Sequence, residues 1–297
     1  MMASRLIIDD SEKNADLYYA TGFLAPDPFI FVQTNGRRVV VMSDLEVDRA
    51  RSQAKVDEVI SHSQLAAQAK ARGVARPTIA DVVDELLRRQ SVQQLDVPSG
   101  FSVLHADGLR ERGYEVRPHP EPFFPERMVK SEEEIALLRN TLRATEDALE
   151  AAIELIRNAQ VKSEGRLWIG GKPLTVELVR KAMHLTMMER DCVAQHTIIA
   201  PGVQAVDPHN IGSGPLRANE PIVIDVFPQH ATTRYFADLS RTVVKGRAVD
   251  KVRRMFDAVK AGQEIAFAMI RDGVDGAAVH GAILDMFERQ GFTTGER

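Results

Sequence analysis

The 297-residue chain lacks a second cysteine and has no apolar run long enough to cross a membrane. With Cys192 alone no internal disulfide can form, which favours a reducing compartment. No uninterrupted apolar stretch approaches the ~20 residues of a spanning helix. The opening MMASRLIIDDSEKNADLYY carries acidic residues where a secretory signal needs an apolar segment. A localised run of lysine and arginine is also missing. Acidic residues outnumber basic ones 42 to 38 and the net charge is −4, so nucleic acid is not expected as a partner. Low-complexity tracts and short repeats are absent. These absences imply a cytoplasmic, soluble protein with neither a membrane span nor a nucleic-acid footprint.

The chain has an ordinary globular composition, with 44% hydrophobic and 27% charged residues, and a length that suggests two domains. FIFVQTNGRRVVVMSD reads as two strands joined by an Asn35-Gly36 type I′ turn. SQLAAQAKARG and TIADVVDELLRRQ have helical spacing, the first stopped by Gly73, the second capped by Thr78 after Pro77. FSVLHADGLRERG predicts a third short helix, followed by an extended YEVRPHP. Prolines 118, 120, 122 and 125 then favour a connector, placing a boundary between domains of 1–122 and 123–297. Beyond it, Ser131 and Glu134 form a capping box for a long helix with an apolar stripe of Ile135, Leu138, Leu142, Leu149, Ile153 and Ile156. A helix capped by Thr175, a strand HTIIA, a Gly/Pro-rich loop, two apolar strands and two further helices complete a mixed α/β (α+β) chain.

The two apolar strands in PIVIDVFPQHATTRYFADLSRTVVKG each contain an aspartate, Asp225 and Asp238. A buried carboxylate costs several kcal/mol unless it is neutralised. One reading pairs each aspartate with Arg234, Arg241 or backbone N–H groups. The other takes the strands as a hairpin turning symmetrically about Ala231-Thr232, which sets Asp225 directly opposite Asp238. Facing Cβ atoms lie ~4.5–5.5 Å apart, so both carboxylates would ionise only with a cation between them. Two divalent ions ~3.5–4 Å apart fit such a gap. Oxygen donors favour Mn²⁺, Co²⁺ or Mg²⁺ before Cu²⁺, and an added histidine would admit Zn²⁺. His209 lies in the glycine-flanked loop VDPHNIGSGPL, as a solvated side chain or a functional one. Ser240 shares the strand face of Asp238 and could donate a hydrogen bond to a metal-bound water.

Four segments in order resemble the pita-bread metallopeptidases, the family of Xaa-Pro dipeptidase (prolidase) and aminopeptidase P, with methionine aminopeptidase and creatinase as relatives. They are LYYATGF, PERMVKSEEEIALLR, APGVQAVDPHNIGSGPLRANEPIVIDVFP and RYFADLSRTVVKG. The resemblance implies a creatinase-type N-terminal α/β domain and a pita-bread catalytic domain. It makes Asp225 a ligand of one metal, Asp238 the carboxylate bridging two divalent ions (Mn, Co or Zn), and His209 the group that hydrogen-bonds substrate. Ser240 stands where the family has threonine. A metal-bridging water would attack the Xaa-Pro bond of short proline-containing peptides, and a homodimer is a further implication.

The family also uses a histidine and two glutamates as ligands, beyond a motif that this sequence does not contain. His280 is the one histidine after Asp238, and it falls inside the last helix. The catalytic domain is therefore expected to be incomplete at its C-terminus, with weak or absent metal binding. Two other functions stay open. One is a catalytically dead binding or assembly module of the same fold. The other is a creatinase-like hydrolase of a carbon–nitrogen bond that needs no metal and has no use for paired aspartates.

Overall fold

Residues 29–34, Phe-Ile-Phe-Val-Gln-Thr, place apolar side chains on both faces of a strand, a pattern stable only when each face is covered. In the computed structural model, which describes residues 4–88, 90 and 92–293, that strand lies inside a six-stranded sheet. The first compact unit, Met1–Lys130, comprises β1 (Ser4–Asp9), α1 (Ala15–Thr21), β2 (Phe29–Thr34), β3 (Arg37–Met42), α2 (Val47–Gln53), β4 (Glu58–Ser61), α3 (His62–Ala71), α4 (Ile79–Arg88), β5 (Gln94–Val97), α5 (Val103–Arg110) and β6 (Glu115–Pro118). The strand order is β4-β3-β2-β1-β5-β6. The pairs β1–β2 and β2–β3 are antiparallel, and the remaining pairs are parallel. Asn35 and Gly36, at φ 51° and 83°, set Thr34 opposite Arg37, the geometry a type I′ turn requires.

Alternation along the strands supplies two cores. Leu6, Ile30, Val32, Val39 and Val41 face one cluster with Leu86 and Leu109. Ile7, Phe29, Phe31, Val40 and Met42 face another with Leu17, Phe123 and Phe124. Phe123 and Phe124 are fully buried in that second cluster, and Arg127 pairs with Asp16 at 2.6 Å. The proline-rich segment is thus packed rather than free. The division between compact units falls at Lys130/Ser131, later in the chain than the prolines suggest.

The α4 face carries a buried ionic network. Asp84 accepts from Arg88 at 2.7 Å, from the Tyr114 hydroxyl at 2.8 Å and from Arg72 at 3.1 Å. Asp81 accepts from Arg112 at 2.6 Å. Burial pushes the Asp84 carboxyl up, but the donors from Arg88, Tyr114 and Arg72 outweigh it and hold its pKa below the ordinary aspartate value.

The second unit, Ser131–Arg297, opens with α6 (Glu132–Asn158). Ser131 and Glu134 form the reciprocal capping box there. The buried face of α6 is not the leucine-rich stripe. Leu149 and Ile156 are buried, whereas Ile135, Leu138, Leu142 and Ile153 are half-exposed. Thr141, Ala144, Thr145, Ala148 and Ala152 make the deepest contact. Small side chains let the neighbouring backbone approach closely, and the two threonine hydroxyls donate back to Leu137 and Thr141 carbonyls.

A small sheet follows, β7 (Gln160–Val161), β8 (Leu167–Ile169) and β9 (Lys172–Pro173). Next come α7 (Val176–Met188), capped by Thr175, then β10 (Cys192–Val193), β11 (Ile198–Pro201), β12 (Ile222–Val226), β13 (Gln229–His230) and β14 (Leu239–Val243). The last elements are α8 (Asp250–Met269) and α9 (Gly276–Arg289), which pack on each other at Gly262. Residues 294–297 of the expected catalytic domain lie outside the described residues. Strands β11, β12 and β14 form an antiparallel sheet with β12 at its centre. Ile222, Ile224 and Val226 of β12 are fully buried in a core with Ala148, Val179 and Met183. No helix among the described residues is long and apolar enough to cross a membrane.

The network predicts a pH dependence. Because Asp84 has a folded-state pKa below its unfolded one, its contribution to stability is complete above the unfolded value. It is lost as pH falls from about 4 through the lowered value. Thermal melts should show the wild type losing stability over that window. Asp84→Asn should be less stable by on the order of 2 kcal/mol at neutral pH and show a flatter acid dependence.

Candidate functional site

Burying Ile222, Ile224 and Val226 turns the alternate residues of β12 to the other face of the sheet. Asp225 is therefore half-exposed, and Asp238 is exposed just before β14. The carboxylates do not sit inside the core, as the apolar runs suggested; they occupy the open face.

Their register also differs from the symmetric hairpin. Asp225 pairs with Ser240, and Val226 with Leu239. The same register continues through Gln229 opposite Phe236. The turn between them is centred later than Ala231-Thr232, because Arg234 adopts φ 63° and its N–H donates to the His230 carbonyl at 2.9 Å. The Thr232 and Thr233 N–H groups donate to Nδ1 of His230 at 3.3 Å. Tyr235 fastens the turn to α6: its hydroxyl donates to Glu134 at 2.9 Å and its carbonyl accepts from Thr141 at 3.4 Å.

A two-residue shift preserves the face, so Asp238 stands diagonal to Asp225 rather than opposite it. Diagonal neighbours have typical separations of ~7–8 Å. The Ser240 hydroxyl, expected to reach a metal-bound water, donates directly to Oδ1 of Asp225. Loss of solvation, and then the negative charge of Asp225, raise the Asp238 carboxyl above the ordinary aspartate value; no cationic side chain counters them. Arg241, considered as a partner for the pair, donates to the carbonyl of Ser240 instead.

His209 is exposed on the loop between β11 and β12. Its backbone N–H donates to Asp207 Oδ1 at 2.9 Å, and no hydrogen bond joins its ring to Asp225, Asp238 or Ser240. His280 lies on α9, exposed. Among the described residues, no group of three or more His, Cys, Asp or Glu side chains could hold a metal ion. The structure thus brings Asp225, Ser240 and Asp238 to one face and leaves His209 on its loop.

Three residues not singled out from the sequence hold that loop and the residue ahead of β11. Glu177, Arg180 and His184 recur along one face of α7 at helical spacing. Glu177 accepts from the Gly214 N–H at 3.0 Å. Arg180 donates to the Thr197 carbonyl at 3.1 Å, to the Gly212 carbonyl at 3.1 Å and to the Ile211 carbonyl. His184 shares a hydrogen bond with the Thr197 hydroxyl at 3.0 Å. Burial, and then the positive charge of Arg180, lower the His184 pKa. The polar i, i+3, i+7 stripe in VELVRKAMH was the available signal. Gly212, at φ 74°, lies against β11; a Cβ there would come within 1.9 Å of the Ile199 carbonyl oxygen.

Comparison with known proteins adds a family context. The model of metallopeptidase family M24 matches residues 136–296, more than half of the chain. An uncharacterized peptidase of Bacillus subtilis, YqhT, is 22% identical over 281 residues, which cover 94% of this chain and 72% of that protein. A Xaa-Pro dipeptidase of Pyrococcus horikoshii is 28% identical over 151 residues, 50% of this chain and 38% of that relative. Among solved structures, the X-Pro aminopeptidase of Thermotoga maritima superposes with a TM-score of 0.75 at 18% identity, covering 98% of this chain and 76% of that one. The Xaa-Pro dipeptidase of Bacillus anthracis gives 0.78 at 17% identity, with 97% and 73% covered. These structural likenesses concern the fold.

Two outcomes follow for the metal-free protein. Carboxyl-carbon NMR titration should place the Asp238 midpoint above that of a free aspartate, and Asp225→Asn should lower it. Gly212→Ala should destabilise by about 2 kcal/mol or more in chemical denaturation, because Cβ meets backbone. Gly214→Ala, at φ 81° with open space around it, should lose only about 1 kcal/mol from its backbone conformation.

Proposed function

The chain belongs to metallopeptidase family M24, and on that premise we propose that it is a metal-dependent peptidase of the Xaa-Pro dipeptidase or aminopeptidase P type. Its substrates are short peptides with proline in the second position, in keeping with the names of its relatives. In the same reading, residues 1–122 are the creatinase-type N-terminal domain and residues 123–297 carry the pita-bread catalytic unit.

The observation that carries the proposal is the pair of carboxylates on one open sheet face, with Asp238 raised by loss of solvation and then by the charge of Asp225. Such a pair attracts a multivalent cation, since binding relieves like-charge repulsion. Asp225 and Asp238 fit part of a divalent donor set rather than a closed one, in line with the absence of a third donor beside them among the described residues. When bound, divalent ions would activate water and polarise the peptide carbonyl. The hydroxyl of Ser240 fixes the orientation of Asp225. His209, exposed on its loop, is available to hydrogen-bond the substrate.

Calorimetry with Mn²⁺ on protein dialysed against chelator tests the ligand assignment. Binding should weaken at least roughly tenfold in Asp225→Asn and in Asp238→Asn. With Mn²⁺ present, Ala-Pro should be hydrolysed and Ala-Ala should not. Equal cleavage of both would remove the proline assignment. Binding of Mn²⁺ and Ala-Pro without turnover would move the reading to a binding module of the same family.

A further inference from the structure

We infer that Arg180 is a positioning residue for His209: its guanidinium fixes the loop that presents the imidazole to a peptide amide. The inference deepens the function proposed above and rests on the substrate role given there to His209.

Nothing orients the His209 ring from outside, because the residue is exposed. Its direction is therefore set by the backbone beneath it. A continuous set of hydrogen bonds connects that backbone to Arg180. The His209 N–H donates to Asp207 Oδ1 at 2.9 Å, and the Asn210 N–H donates to the Asp207 carbonyl at 3.1 Å. The Gly212 N–H donates to Asn210 Oδ1 at 2.9 Å. Gly212 and Ile211 in turn offer their carbonyls to Arg180. The Ile199 N–H also donates to the Ile211 carbonyl at 3.2 Å, so this end of the loop is fastened to β11.

A guanidinium suits this position for a stated reason. It is planar, always charged and carries several donors in a fixed fork, so one side chain reaches carbonyls of two chain segments at once. Here those segments are Thr197, just ahead of β11, and Ile211-Gly212. Glu177 holds the next stretch through the Gly214 N–H. The Gln204 amide and the Ser213 backbone close the loop reciprocally, at 3.1 Å and 2.9 Å. Its three acceptors in these hydrogen bonds are all backbone oxygens. Losing the guanidinium would leave the Thr197 and Gly212 carbonyls to re-hydrate and the Ile211 carbonyl with the Ile199 N–H alone, loosening the segment that bears His209.

The test uses the full chain with Mn²⁺, in the wild type, Arg180→Gln, Arg180→Lys, His209→Ala and the Arg180→Gln/His209→Ala double variant. Amide hydrogen exchange is read over residues 209–214 and over α6 and α7, and Ala-Pro affinity is measured by calorimetry. Arg180→Gln should raise exchange in the loop at least roughly tenfold with helix protection unchanged, and weaken Ala-Pro binding to the level of His209→Ala. Arg180→Lys, which keeps the charge but reaches fewer carbonyls, should fall between. In the His209→Ala background, Arg180→Gln should have no further effect on affinity. Unchanged loop exchange overturns the inference, as does an equal loss of affinity whether or not His209 is present. A wild type that binds no Ala-Pro counts against the proposed function instead. Loop exchange then decides the positioning role alone. If Arg180→Gln unfolds α7, Arg180→Lys carries the same comparison.

Discussion

The alternation of β12 is the constraint from which the site geometry follows. Ile222, Ile224 and Val226 are fully buried, and only pairings that keep this face inward bury all three. A slip of one residue would drive the Asp225 carboxylate into the core and expose the three apolar side chains, at a cost of several kcal/mol. Asp225 is therefore turned to the open face by its neighbours, and there it accepts from the Ser240 hydroxyl. Its sideways position is then set by pairing with Ser240, and the charge of Asp238 follows two residues along.

The consequence is electrostatic. Loss of solvation, and then the negative charge of Asp225, raise the Asp238 carboxyl on this partly solvated face. On the proposed reading such a face can take a cation, whereas two buried, arginine-paired aspartates would have nothing to offer an ion. The contrast lies in the same chain: Asp84 in the first unit is surrounded by Arg72, Arg88 and Tyr114 and is held low. Its oxygens are fully engaged by those donors.

Local chemistry was legible in the sequence wherever one residue type has one strong use. The Asn35-Gly36 turn and the Ser131, Thr175 and Thr78 helix starts stand where their residues indicated. The mixed α/β, pita-bread architecture and the family resemblance are borne out by the family match and the solved structures. The hairpin register was hidden because Arg234 takes a left-handed conformation that arginine rarely adopts, which a symmetric count cannot anticipate. The end of the first unit was hidden because Phe123 and Phe124, although flanked by prolines, fill a core assembled by distant strands. The role of Arg180 was hidden for a different reason. Its acceptors are backbone carbonyls, and every residue has one.

The buried face of α6 has a mechanical implication. Thr141, Ala144, Thr145, Ala148 and Ala152 are the small buried face of that helix, where added volume forces its neighbours to shift. The same helix grips Tyr235 through Glu134 and Thr141, and Tyr235 lies only three positions from Asp238. A bulkier side chain at Ala148 would therefore act as a lever, tilting the helix and dragging the turn with it. Steric crowding far from any charge would thereby set how closely two negative groups approach each other.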